Sequence, residues 1–118
     1  MSNDKELLEL AAKAYWGDEI DDVCSIRWLD ADQAIGYTHA DNQDHNGQDQ
    51  EYVWNPLTND GDALRLAVKL TIHITSSPTD AWASTLLVDA TEPMGTDPYA
   101  ATRRAIVRAA AEIGRTMP

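Results

Sequence analysis

One stretch constrains the fold more than any other: WNPLTNDGDALRLAVKL, residues 54–70. An apolar run ends at Trp54. Pro56 forbids its continuation as a strand, because proline offers no N–H to a ladder and pushes Asn55 into an extended conformation. A few residues later Asp60, Gly61 and Asp62 open a periodic segment. In it Leu64, Ala67 and Val68, extended by Ala63, Leu66 and Leu70, make an apolar stripe at helical spacing. A strand must therefore stop, turn a corner and hand over to a helix spanning about 60–70. The Asn, Asp and Gly cluster also gathers N–H groups at a positive helix end, as phosphate sites do. Two carboxylates stand where such a cradle needs a cation, so the cluster reads as helix initiation. Asp60 and Asp62 offset the dipole and cap free donors, and Asn55 with Pro56 locks the corner.

The flanking segments fit one architecture. The opening LLELAAKAY has helical spacing; Asn3 can cap it, Glu6 can reach back, and Gly17 ends it. Residues 18–24 read as acidic and irregular, whereas 25–29 and 34–38 alternate like short strands. A polar run follows, containing the hairpin signal Asn46-Gly47, before 51–54 returns as a strand. After the helix, 71–75 alternates, with Ile72 and Ile74 on one face and His73 on the other. Turn chemistry at 76–80 precedes a longer strand over 81–88, with Trp82, Ser84, Leu86 and Val88 at alternate positions, and a loop over 89–96. Asp97, Pro98 and Gly114 bracket a final helix. Its buried stripe is Tyr99, Ile106, Val107, Ala110 and Ile113, and its Arg103, Arg104 and Arg108 face water. The expectation is a single α+β domain over residues 1–118, a mostly antiparallel sheet with helices packed on it and an acidic insertion and hairpin loop at about 17–51.

Charge narrows the function classes. The formal net charge is −11, which repels nucleic acid and anionic membrane alike. Residues 17–51 hold ten acids against one base, Arg27, while the segment from Asp97 onward carries four arginines against Asp97 and Glu112. No apolar run approaches the roughly 20 residues that span a bilayer, and the charged N-terminal segment does not resemble a secretory signal. A lone cysteine, Cys24, excludes an internal disulfide and fits a reducing compartment, so a cytoplasmic location is expected.

WNPLTNDGDALRLAVKL and GTDPYAATRRAIVRAAAEIGR, together with the opening LLELAAKAY, resemble a family of small uncharacterised phage and prophage proteins, the phage ABA sandwich domain. The resemblance covers the opening and most of the chain after Trp54, but not the acidic middle. It implies an α/β/α layered sandwich and a phage-derived gene acting in a host bacterial cytoplasm. It brings no catalytic residues.

The residues themselves supply few candidate sites. Asn42, Asp44, Asn46 and Gly47 match the opening positions of an EF-hand loop, but the twelfth position is Val53, where a bidentate glutamate belongs. A weak calcium site on Asn42, Asp44 and Asn46, helped by Glu51, is the only metal candidate; a solvated acidic loop is the simpler reading. His39 and His45 lack the Cys or helical His partners of a zinc site. Ser25 and Ser84 lack a nucleophile motif, no cofactor fingerprint is present, and Asp21 and Asp22 blunt Cys24. No enzyme emerges and no cofactor is expected. Four tryptophans in a Phe-free chain must fill much of the core, and Trp16, at the end of the first helix, is the one placed to be accessible. The expected function is that of a non-enzymatic accessory protein binding another protein, a basic host protein being the fitting partner, through Asp41, Asp44, Asp49, Glu51 and Trp16. In a stronger form the carboxylates imitate DNA phosphates. The alternative is a small molecule or metal, an enzyme's substrate included, held by residues 39–55. Self-association through the arginine face of the last helix is compatible with either.

Overall fold

The computed structural model describes residues 4–17, 23–43 and 49–117; within these, the side chains of 23–25, 39–43 and 49–50 are not described. The chain runs α1 (Asp4–Trp16), β1 (Val23–Leu29), β2 (Ala34–Gln43), β3 (Asp49–Trp54), α2 (Asp60–Leu70), β4 (His73–Ser76), β5 (Asp80–Ser84), β6 (Asp89–Pro93) and α3 (Pro98–Thr116). The α+β class and the antiparallel pairing are those the sequence predicts. The strands divide between two sheets, β1-β2-β3 before α2 and β4-β5-β6 after it.

The first sheet follows the period-two rule. Ile35 pairs with Trp28 and Trp54, and Tyr37 with Ile26 and Tyr52, so these apolar residues share one face. Trp16 and Tyr15 of α1 close over that face: Trp16 lies 5.1 Å from both Tyr37 and Trp54, and Tyr15 stacks on Trp54 at 5.4 Å. Trp54 is almost fully buried, and its indole N–H has no hydrogen-bond partner among the described residues. The opposite face carries the Arg27–Glu51 pair, which straddles β2 at Gly36. A Cβ there would lie 3.1 Å from the Glu51 carboxylate and 2.8 Å from the Leu29 side chain.

The second sheet turns Ala81, Ala83 and Ala90 toward α3, all buried. Small side chains let the helix lie close, and α3 is correspondingly rich in alanine. It buries Ala101, Ala105, Ile106, Val107, Ala109, Ala110, Ala111 and Gly114, far more than one stripe, because α1, α2 and the second sheet all pack against it. Contacts between α1 and α3 advance in step along both helices: Asp4 meets Arg104, Leu10 meets Gly114, and Lys13 donates to the Met117 carbonyl. The two helices therefore run parallel. Their approach is so close that a Cβ on Gly114 would collide with the Leu10 carbonyl.

Several boundaries differ from expectation. Val23 and Cys24, read as irregular, belong to β1, and β2 and β3 extend to Gln43 and back to Asp49, leaving 44–48 between them. The Asn46-Gly47 turn lies outside the described residues, as does the Asn3 cap. The strand expected over 81–88 ends at Ser84, and the expected loop at 89–96 contains β6. A hairpin turn separates them: Thr85 and Val88 close it through Thr85 N–H to Val88 O at 2.8 Å. The Thr85 hydroxyl accepts from Leu87 and Val88 N–H at 3.2 Å each. A threonine hydroxyl thus does what an Asn or Asp side chain does in a commoner turn. In α2 the buried stripe is Asp62, Ala63, Leu66 and Ala67, and the expected Leu64 and Val68 are exposed. Tyr99, expected inside, is likewise exposed, and so is Ile74. Ile72 is buried but precedes β4: it follows Thr71, whose left-handed backbone (φ 54°) closes α2 with Thr71 and Ile72 N–H groups returning to Val68 and Ala67 carbonyls.

Candidate interaction surfaces

The corner at 55–62 is a hydrogen-bonded lock. Asn55 donates its side-chain N–H to Gln33 O at 3.1 Å, accepts Leu57 N–H on Oδ1 at 2.9 Å, and accepts Thr58 and Asn59 N–H on its carbonyl. The helix cap is Asn59, whose Oδ1 accepts Asp62 N–H at 2.9 Å; Asp60, expected to cap, is instead an exposed partner of Arg103 at 2.6 Å. Asp62 is the buried centre. Its carboxylate accepts Asn55 N–H at 3.0 Å and Arg65 Nη2 at 2.7 Å, a capping box stretched back past the cap residue. Pro56 is fully buried beneath the turn. Every polar group named at this corner is engaged within the chain.

The middle of the chain places its residues differently. Asp41 and Asn42 fall on β2 and Asp49 on β3, with side chains not described, while Asp44, His45 and Asn46 lie outside the described residues. The flanks of the EF-hand-like run are thus strands, not the helices of that motif. Among the described residues no group of three or more His, Cys, Asp or Glu side chains converges on a metal position. Glu51 is held by Arg27 through Nε–Oε2 at 2.9 Å and Nη2–Oε1 at 3.0 Å, and this hydrogen-bonded pairing lowers the Glu51 pKa below its ordinary range. Trp16, taken as a contact residue, is only 5% exposed: the first helix ends against the aromatic face of the sheet, so the indole has no route to a partner.

Charge is distributed in a way the composition conceals. Every arginine of the chain is ion-paired internally: Arg27 with Glu51, Arg65 with Asp62, Arg103 with Asp60, Arg104 with Asp4 and Glu92, Arg108 with Glu92, and Arg115 with Glu6 and Glu112. Arg103, Arg104 and Arg108, expected to face water, instead pin α3 to the 55–62 corner, to α1 and to β6. Arg103 adds a 2.8 Å hydrogen bond to Leu57 O, and Arg108 one of 2.9 Å to Thr91 O. The basic tail read from the sequence is therefore consumed inside the fold. With nine Lys and Arg against twenty Asp and Glu, carboxylates remain in surplus after these pairs are made.

A concavity of about 790 Å³ lies elsewhere, at the end of the second sheet, lined by Leu70, Thr71, His73, Thr85, Leu86, Leu87, Val88, Ile113 and Thr116. Leu86 and Leu87 form its lip at the tip of the β5–β6 hairpin, 103% and 94% exposed. Sequence reasoning missed this feature because it took 81–88 as one continuous strand. The available signal was the absence of any turn residue other than Thr85 between two strand-length runs. On the outer face of the same sheet Trp82 lies between its cross-strand neighbours Thr75 and Thr91, partly exposed.

Compared with known proteins, the chain matches no protein family, no curated protein and no solved structure.

Proposed function

We propose that this chain is a non-enzymatic accessory protein that docks onto a cationic protein through its anionic surface. The internal pairing of all six arginines carries the proposal, because it engages them within the fold while the chain keeps a net charge of −11. Such a field speeds encounter with a basic surface and rejects an acidic one, giving association that weakens steeply with salt. A phage origin, implied by residues 54–70 and 95–115, suits this reading: a small acidic protein can occupy the nucleic-acid site of a host factor without any catalytic group of its own.

The test is retention of purified basic nucleic-acid-binding proteins, and of duplex DNA, on immobilised protein at low and high ionic strength. At least one basic protein is expected to bind at low salt and elute at high salt, with DNA never retained. No retention of any basic protein at low salt would remove the proposal.

A further inference from the structure

We propose that the outer edge of β4 is a strand-addition site, at which an extended basic segment of the cationic partner pairs as a fourth strand of the second sheet. The inference rests on the cationic partner proposed above and names the part of it that is taken. Backbone pairing fixes which groups face outward. Ser77 N–H donates to the Asp80 carbonyl at 2.8 Å, so these two residues form a hydrogen-bonded pair at the end of the hairpin. Bonded and non-bonded pairs alternate along an antiparallel ladder. The register places Ser76 opposite Ala81, Thr75 opposite Trp82, Ile74 opposite Ala83 and His73 opposite Ser84. Thr75 and His73 are therefore bonded to β5, whereas Ile74 and Ser76 turn their N–H and C=O groups away from it. Among the described residues nothing pairs with those outward groups, and all four residues of β4 are exposed.

Sheet edges are ordinarily guarded by charge, proline, bulges or cover. The opposite edge of this sheet has three such guards: β6 carries Asp89 and Glu92, ends in Pro93, and gives its Thr91 carbonyl to Arg108 Nη1 at 2.9 Å. In the first sheet β3 carries Asp49 and Glu51, and β1 has Arg27 and a register shift between Val23 and Ser25. β4 reads His-Ile-Thr-Ser, with no Asp, Glu, Lys, Arg or Pro and an unbroken register. Its one protection is shortness. With the outward groups of only two residues to offer, the backbone supplies the docking mode, and side chains and charge decide what docks.

Both faces of the strand point to the same kind of segment. Ile74 shares the α3-facing side of the sheet with Ala83 and Ala90, yet it is 44% exposed. An apolar side chain on the added strand would lie beside Ile74 and extend that layer. On the outer face Thr75 stands between the edge and Trp82, which is 36% exposed. A Lys or Arg on the added strand is long enough to pass the small threonine and bring its cation toward the indole. Alternating basic and apolar residues satisfy both faces at once, because successive side chains of a strand point to opposite sides. The charge of the whole molecule agrees. At −11 the chain attracts a basic segment, whereas a second copy would bring another −11 to the same edge.

The probe is a short fluorescent peptide of alternating lysine and valine, titrated with the full chain at low salt and followed by anisotropy. Its control is the same peptide with N-methylated backbone amides, which keeps the charge and side chains but cannot join a ladder. Saturable binding of the first peptide is expected, weakened about tenfold or more by N-methylation and by the variant S76P. Ser76 is exposed and its N–H lies outside the ladder, so S76P should keep the wild-type melting temperature. Amide hydrogen exchange supplies a readout that needs no variant. The peptide should slow exchange at Ile74 and Ser76, while His73 and Thr75 are slow without it. No binding of the alternating peptide, equal binding of the two peptides, or protection that appears away from β4 overturns the inference. A dimer of the chain alone that S76P abolishes overturns it in favour of β4 pairing with β4. Retention of basic proteins on the immobilised chain is measured separately, which distinguishes loss of this site from loss of the proposed function.

Discussion

At Asp62 a single carboxylate joins three parts of the chain: the end of β3 through Asn55 N–H, the first turn of α2, and Arg65. Its neighbour Asp60 shares its charge and nearly its position but sits in solvent, bonded to Arg103 alone. Buried acceptors that satisfy backbone donors are costly to remove, whereas exposed ion pairs contribute little. Asp62→Asn is therefore expected to destabilise the fold by about 2 kcal/mol, since the amide presents one oxygen where two are used and sets an N–H against a donor. Asp60→Ala should cost under about 0.5 kcal/mol. Urea denaturation of the two variants side by side checks the contrast; equal losses would mean that burial does not separate these acids. The sequence marked the cluster as a helix start but could not rank its acids. Spacing alone does not say which of two carboxylates turns inward, or that Asn59 rather than Asp60 takes the cap.

Helices were the legible elements. α2 begins and ends where its punctuation predicts, and α3 is announced by Asp97, whose Oδ1 accepts Tyr99 and Ala100 N–H at 3.1 Å, and by Pro98 behind it. These signals are local and survive any tertiary arrangement. Faces were less legible: Leu64, Val68 and Tyr99 complete apolar stripes on paper, yet face outward because neighbours cover only the Ala63–Leu66–Ala67 side of α2 and the alanine sides of α3. The hairpin at 80–93 escaped for another reason: its turn is stabilised by a hydroxyl rather than by glycine, so nothing in composition interrupts the run. Close helix contact offers a test at this scale. Gly114→Ala places a methyl against the Leu10 carbonyl of the parallel helix, where only backbone movement can relieve it. A loss of about 1–3 kcal/mol is expected, read from thermal or urea unfolding. An unchanged midpoint would mean that α1 and α3 do not touch there.

For the whole molecule, the proposed capture of a cationic protein should depend on pH as well as on salt. The isoelectric point computed from composition is about 4.4. As pH falls toward it the net negative charge dwindles, so capture of a cationic protein should fade. Retention of a basic protein on the immobilised chain at stepwise lower pH checks this. Retention that does not fall with pH would mean that the anionic surface does not drive the contact.

The placement of α3 has a consequence for how the chain can be made. Translation runs from the N-terminal side to the C-terminal side, so the segment that α1, α2 and the second sheet lean on emerges after all of them. Until residues 98–116 leave the ribosome, Leu8, Leu66 and Ala83 have no central helix to enclose them. Those three layers can close together only once that helix has been made.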